Sequence, residues 1–383
     1  MHVLPSLSAE GGQILALEML RLHDRSRFDV SLALVADGRG PLNVEAARLE
    51  IPIFRLHWRQ EYLQQKGVLG YAPLTAKMFQ ICRQWKPDAV LIYGMNFDIF
   101  IGLGARLAGV RNTTTRVGNA PVVSGSLGRL KVAALLRIGR IVNGPLVACS
   151  QQTKEYMRRE YGLSGNDIVA VQNGVNVAEI GRRARQQRTI GNRSGTTLGM
   201  VASLELSKDH ATLLQAFALV RQKHPTVRLW LIGGGSLESD LRRQASAFGI
   251  ADVVEFLGVR RDIPELLAEI DLFVFSVTPH EGFGIVLIEA LAAGVPIVSS
   301  DVPAAREVLA EGEYGVLVPA RDASALADAI VALIDDPRKR ERLHKAGVEY
   351  VRRFDSTFMT REYENVLFRF RRKSGHGAGS GEA

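Results

Sequence analysis

Two carboxylates and three glycines stand together in one stretch, Pro279 to Ser300, PHEGFGIVLIEALAAGVPIVSS. Ile285 to Ala293 predicts a helix that is apolar on every side and interrupted only by Glu289, and such a helix is buried. A buried carboxylate needs internal donors or a ligand that brings them, and a pair of hydroxyls is one such ligand. Gly282 and Gly284 flank Phe283 at the helix start, where free N–H groups and the positive dipole end favour an anion such as a phosphate. Glu281 lies beside that anion position, and Gly294 ends the helix ahead of a short apolar strand. Hydroxyls and phosphates on one ligand describe a nucleotide sugar. On spacing alone, chance occurrence and an internal salt bridge to a lone helical glutamate are favoured over a ligand site.

Other loops carry related chemistry. Gly11-Gly12 opens a predicted helix, Ile14 to His23, and makes a second anion-friendly start. Gly233-Gly234-Gly235-Ser236 opens another after the strand Arg228 to Ile232, with Gly234 a backbone contact for phosphate or nucleotide. Lys208, in Ser203-Leu204-Glu205-Leu206-Ser207-Lys208-Asp209, is the cation expected to meet charge growing on a leaving phosphate. Arg260, Arg261 and Arg306 stand in nearby loops as further cations. Gly102 and Gly104 do not complete a G-x-G-x-x-G pattern and predict helix packing instead of a nicotinamide site. No Asp-x-Asp and no His, Asp and Glu cluster with ligand spacing occurs, so no metal or other cofactor is expected. Cys82 and Cys149 lack metal-ligand spacing and cannot make a disulfide framework.

The elements that must hold these residues alternate along the chain. Predicted strands begin near His2 and run over Phe28 to Val35, Ile51 to Leu56, Ala89 to Tyr93, Arg111 to Val117 and Leu146 to Ser150. A second series covers Thr197 to Ala202, Arg228 to Ile232, Val253 to Leu257, Leu272 to Ser276, Ile297 to Ser299 and Gly315 to Val318. Helical segments separate them, which predicts two α/β, doubly wound parallel sheets. Residues 1–180 form the first domain, 181–195 an aperiodic linker, and 196–355 the second domain. Residues 356–373 form an amphipathic basic helix and 374–383 a Gly-rich tail expected to be disordered.

With 383 residues, 46% of them hydrophobic and 23% charged, the chain has the composition of a two-domain globular protein. No run of 18 apolar residues and no basic-then-apolar leader is present, so a cytoplasmic protein is expected. Residues 1–175 carry 21 Lys+Arg against 13 Asp+Glu (21 − 13 = +8), whereas residues 196–350 carry 15 against 22 (15 − 22 = −7). A basic first half fits an anionic membrane surface and fits an ordinary solvated face as well; no nucleic-acid partner is expected. The segment Leu127 to Val142 is basic and apolar, with Arg129, Arg137 and Arg140 within one arc, and covering the sheet is favoured for it over lying on lipid.

The string Glu281, seven residues, Glu289 closely resembles the signature of the retaining glycosyltransferases of family 4, group 1 type, with the GT-B fold. The resemblance is strongest from Gly199 to Asp322 and extends over essentially the whole chain. It implies two Rossmann-like domains facing each other across a cleft, the second holding the nucleotide sugar, the last helix crossing back to the first. It puts Glu281 by the donor sugar, Glu289 on the ribose hydroxyls and the backbone from Gly282 to Ile285 on sugar and phosphate. Lys208 matches the family's diphosphate lysine, while Ser203 stands where the family has an arginine. Gly12 falls in the loop facing the donor phosphates, Gly11 on its acceptor side, and the backbone at Gly258 and Val259 where similar proteins read the base. Asn119 stands where members often have a histidine. The implied activity is metal-independent, retaining transfer from a nucleotide sugar, expected to be a UDP-sugar, to a lipid-linked or polysaccharide-precursor acceptor, at the membrane's inner face. Ser203 and Asn119 keep a non-catalytic GT-B partner subunit open, and a nucleotide-sugar epimerase is the third class.

Overall fold

Short apolar runs become strands because a parallel strand covered on both faces must be apolar along its length. The computed structural model describes residues 1–8, 11–36, 40–59, 61, 64, 67–95, 97–188 and 195–373, with side chains through 368. Two compact units emerge, one from residues 1–173 with 356–383 and one from residues 174–355. Unit 1 holds β1 (His2–Leu4), β2 (Leu32–Leu34), β3 (Ile53–Arg55), β4 (Ala89–Tyr93), β5 (Asn112–Val117), β6 (Leu146–Ala148) and β7 (Ile168–Ala170). They form one seven-stranded parallel sheet in the order β3-β2-β1-β4-β5-β6-β7. Unit 2 holds β8 (Thr197–Val201), β9 (Arg228–Ile232), β10 (Val254–Gly258), β11 (Leu272–Phe275), β12 (Ile297–Ser300) and β13 (Val316–Val318). Their order is β10-β9-β8-β11-β12-β13, again all parallel. Both units are therefore doubly wound α/β layers.

Unit 1 buries Val3, Ala33, Ile92, Met78 and Ile101 in one cluster and Val117, Leu136, Leu146, Met157 and Tyr161 in another. Gly102 and Gly104 lie in the helix Asp98–Leu107 as packing residues: a Cβ at Gly102 would overlap Asn143, and one at Gly104 would stand 2.4 Å from the Thr75 carbonyl oxygen. In unit 2, Leu229, Leu231, Phe273, Phe275, Leu287 and Ile288 are buried.

The segment 181–195 is not an aperiodic linker where it is described. Val177–Arg188 is a helix, capped by the Asn176 side chain on the Glu179 N–H at 3.0 Å. Only Ile180, Gly181 and Ala184 are buried, while Arg183, Gln187 and Arg188 reach Glu265, Glu269 and the Ala268 carbonyl as half-buried polar contacts, so the helical period does not show as an apolar stripe. The chain passes into unit 2 after Asn173 and leaves it after Asp355. Gly174 lets the two passages touch, since a Cβ there would stand 2.9 Å from the carbonyl oxygens of Phe354 and Asp355. The Gly-rich tail at 374–383 lies outside the described residues.

The helix Ser356–Lys373 belongs to unit 1, where Phe368 meets Phe28 with ring centroids 5.0 Å apart and Ser356 Oγ donates to Glu18 at 3.1 Å. Its Glu364 starts a buried polar chain: Glu364 to His23 at 2.9 Å, His23 to His2 at 3.1 Å, His2 to the Tyr93 hydroxyl at 3.1 Å. Burial lowers the pKa of both histidines and keeps them neutral. Below the ordinary histidine pKa of about 6.5 the unfolded chain takes up protons that the folded unit refuses. The stabilisation is thus complete above that pH and is lost as pH falls below it. Denaturation midpoints followed from about pH 7.5 down to about pH 5.5 should show a shallower decline in His2→Gln than in the wild type. Parallel slopes would mean that His2 is protonated in the fold.

Candidate functional site

The strand order of unit 2 turns at β8, which has β9 on one side and β11 on the other. Ligands of open parallel sheets sit outside the carboxyl ends of the strands at such a switch point. Residues 202–209 leave β8 there, and residues 276–284 leave β11. Backbone and side chains sew the two loops together. Asp209 N donates to the Ser276 carbonyl at 3.0 Å, Ser276 Oγ to the Asp209 carbonyl at 2.8 Å, and Thr278 Oγ1 to the Ser207 carbonyl at 3.2 Å.

This seam brings Lys208 against Glu281, 73 residues away in sequence. Lys208 Nζ donates to Glu281 Oε2, and the side chains are 18% and 12% exposed. The other carboxylate oxygen accepts the Gly284 N–H at 3.2 Å. Nζ also lies 5.5 Å from the centroid of the Phe275 ring. Lys208, expected as the cation for a leaving phosphate, thus comes to the end of β8 with a counter-ion of its own. It is half of an ion pair whose acid also holds the start of the Ile285–Ala293 helix. Gly284 adopts φ 80°, and a Cβ would press on Leu287 and Phe275, so glycine is required for this start. Phe283 packs edge-on against Phe354 at 6.0 Å, which leaves only its backbone for a ligand. The first N–H groups of the helix, at Ile285 and Val286, have no partner within it.

Glu289 lies on this helix between Ile288 and Ala290, both fully buried. It is half-buried, no donor among the described residues reaches its carboxylate, and burial pushes its pKa up to about 7. Internal donors were one of the two ways to stabilise this acid. No such donor is found among the described residues.

The remaining expected donor residues stand at neighbouring strand ends. Ser203 is exposed after β8, and Val259 is 71% exposed after β10. The Gly233-Gly234-Gly235 turn is held for packing reasons: a Cβ at Gly233 would stand 1.9 Å from the Ala202 carbonyl oxygen, and one at Gly235 2.4 Å from that of Leu204. Its helix start already carries an anion, because Glu205 accepts from Ser236 N at 2.9 Å and from Ser236 Oγ at 2.8 Å. The expected phosphate position at this glycine turn is thus filled by a carboxylate of the same unit. Arg260 is clamped by Asp262 and Arg306 by Asp301, so both are paired.

In unit 1, Gly11 and Gly12 open the helix Gly11–Leu22, and exposed Asn119 follows β5. Arg116 on β5 lies beside Gly12 and was missed by sequence reasoning; its signal was a lone charged residue in the strand Asn112–Val117. The helix Gly125–Asn143 covers the sheet as expected, yet leaves an apolar face outward. Ala133, Leu136 and Gly139 face the sheet, but Leu127, Leu130, Leu135, Ile138 and Ile141 are exposed. Among the described residues no group of three or more His, Cys, Asp or Glu could hold a metal, and no helix is long and apolar enough to cross a membrane.

Residues 9–179 match the family model for glycosyltransferase family 4, and residues 183–350 match that for glycosyl transferases group 1. The phosphatidyl-myo-inositol mannosyltransferase of Mycobacterium leprae is 40% identical over 208 residues, which are 53% of this chain and 54% of that protein. The chain thus spans about half the length of the curated relatives it matches. Among solved structures, Anabaena HepE in complex with UDP and glucose superposes with a TM-score of 0.81 at 21% identity, covering 96% of this chain and 98% of that one. The sucrose-phosphate synthase of Thermosynechococcus elongatus gives 0.79 at 19% identity, covering 98% and 99%. With the two parallel α/β units, these likenesses establish the GT-B fold.

The Lys208–Glu281 pair should be coupled. Urea unfolding of Lys208→Met, Glu281→Gln and the double variant should give a double less destabilised than the sum of the singles by about 0.5–3 kcal/mol. Additive losses would mean that the two side chains do not act as a pair.

Proposed function

This chain belongs to the group 1 glycosyltransferases of family 4, and we propose that it moves a hexosyl unit from a UDP-sugar to a lipid-linked or polysaccharide-precursor acceptor, with retention and without a metal. The observation that carries the reading is Glu289: a desolvated carboxylate without an internal donor, on the helix that begins beside the Lys208–Glu281 pair. Ribose hydroxyls supply the donors this acid lacks. The free N–H groups at Ile285 and Val286 receive phosphate or sugar oxygens. HepE, a structural neighbour, was solved with UDP, and the mannosyltransferase relative is named for a phosphatidylinositol acceptor; both favour this choice of donor and acceptor class.

In the transfer, the bond between the sugar and the diphosphate breaks and the leaving group gains a negative charge. Lys208 serves as the cation facing that charge, and Glu281 orients the sugar without becoming a nucleophile. The acceptor hydroxyl enters on the face the diphosphate leaves and gives its proton to a phosphate oxygen. Transfer should survive excess chelator; loss with EDTA and recovery with Mg2+ or Mn2+ would contradict this.

Because a hydroxyl pair favours the charged carboxylate, nucleotide binding should expel the proton that Glu289 holds near neutral pH. Affinity should therefore rise with pH through about 7. Calorimetry of UDP binding in buffers of different ionisation enthalpy should show proton release that is larger in the wild type than in Glu289→Gln. Equal release in the two proteins would remove Glu289 from the nucleotide site.

Membrane docking belongs to the same proposal. On the helix Gly125–Asn143, Leu127, Leu130, Ile138 and Ile141 form an outward stripe, with Lys131 and Arg137 exposed beside it and no acidic residue in the helix. An apolar stripe with basic flanks suits the anionic inner face of a membrane. Wild-type protein should co-sediment with anionic vesicles at low salt, less at high salt, and much less after Leu130→Asp with Ile138→Asp. Unchanged sedimentation in that variant would exclude this surface.

A further inference from the structure

Arg116 presents a charge that unit 1 does not balance. It is 6% exposed, sits near the carboxyl end of β5, and has no ion-pair partner among the described residues. One nitrogen, Nη2, donates to Asn173 Oδ1 at 2.7 Å, and the guanidinium lies 5.7 Å from the centroid of the Tyr93 ring. The second nitrogen, Nη1, donates to no carboxylate or carbonyl among the described residues. It is the atom nearest to where a Cβ would stand at two glycines on separate elements, 3.5 Å at Gly12 and 3.3 Å at Gly118. Both glycines are half-buried, whereas the guanidinium between them is buried.

A second group points to the same place. The Tyr363 hydroxyl, from the helix Ser356–Lys373, is fully buried beside this guanidinium and reaches no other partner among the described residues. Burial holds its pKa up at about 12, so it stays neutral and cannot serve as counter-ion. An unbalanced buried arginine costs stability unless a ligand brings the missing charge. Guanidinium presents five donors in a planar fork that suits phosphoryl oxygens, and Gly12 lies in the first turn of a helix whose N-terminal amides add to the attraction.

We propose that Arg116, reached between Gly12 and Gly118 and backed by Tyr363, binds a phosphoryl group in unit 1. The group is either the donor's diphosphate or a phosphate on the acceptor, and this choice of ligand rests on the transfer reading above. The site itself does not, because its test reads binding.

Titration calorimetry of UDP, GDP and glycerol 3-phosphate against wild type, Arg116→Met, Arg116→Lys and Glu289→Gln separates the cases. Arg116→Met should weaken one phosphate ligand by about tenfold or more, with partial recovery in Arg116→Lys, whose charge lacks the fork. Weakening confined to UDP and GDP assigns the donor's phosphates; weakening confined to glycerol 3-phosphate assigns the acceptor's. Unliganded Arg116→Met should melt no lower than the wild type, because the buried charge is gone. If a folded Arg116→Met binds all three as the wild type does, or if it melts lower and loses nothing on binding, the arginine is structural and the proposal falls. Should Arg116→Met not fold, the wild type decides through its melting temperature. A saturable rise with glycerol 3-phosphate or UDP over chloride of equal ionic strength, reduced in Arg116→Lys, supports the site, and the same rise in both proteins overturns it. Loss of nucleotide binding only in Glu289→Gln, with glycerol 3-phosphate binding unchanged in Arg116→Met, would overturn the Arg116 site.

Discussion

Taking a charge out of water is the constraint around which both units are arranged. In unit 2 the cost is met within the protein: Lys208 and Glu281 share one proton-bearing contact, and the spare oxygen of Glu281 fixes Gly284. That geometry needs the seam between the loops after β8 and β11, and the seam needs the strand order that makes those two strands neighbours. The helix Ile285–Ala293 inherits its start from the same carboxylate and holds Glu289 half-buried between Ile288 and Ala290. An acid left half-buried and unpaired there is stable only as a neutral group or with a ligand. The proposed ribose contact follows from that pressure.

Unit 1 shows the opposite balance. Its buried histidines are kept neutral and joined in a chain from Glu364 to Tyr93, so the histidines themselves add no charge to the interior. Arg116, next to Tyr93, keeps its charge. The last helix supplies both Glu364 and Tyr363, so one element returning to unit 1 fixes the polar chain and closes off the guanidinium.

The sheets were legible because buried parallel strands are unbroken apolar runs, as in Ala89–Tyr93 and Leu272–Phe275, and because Gly294 closes its helix with φ 73°. Glu281 and Glu289 were legible through spacing and resemblance. The partner of Glu281 was not, because Lys208 arrives through sheet order, which no local pattern encodes. The helix Val177–Arg188 hid behind Arg and Gln with only three inward residues, and the exposed leucines of Gly125–Asn143 look in sequence like any core-facing stripe. Gly233 and Gly235 resembled a phosphate turn, yet their smallness serves the close passage of residues 202–204. Arg116 carried too weak a signal: one charged residue in a strand is as often an edge residue as a ligand.

The most direct measurement is the structure of this protein with a bound nucleoside diphosphate. The account predicts both ribose hydroxyls within hydrogen-bonding distance of the Glu289 carboxylate and a phosphate or sugar oxygen at the helix start near Ile285. A nucleotide bound elsewhere, or one in this unit with Glu289 facing no hydroxyl, would contradict it.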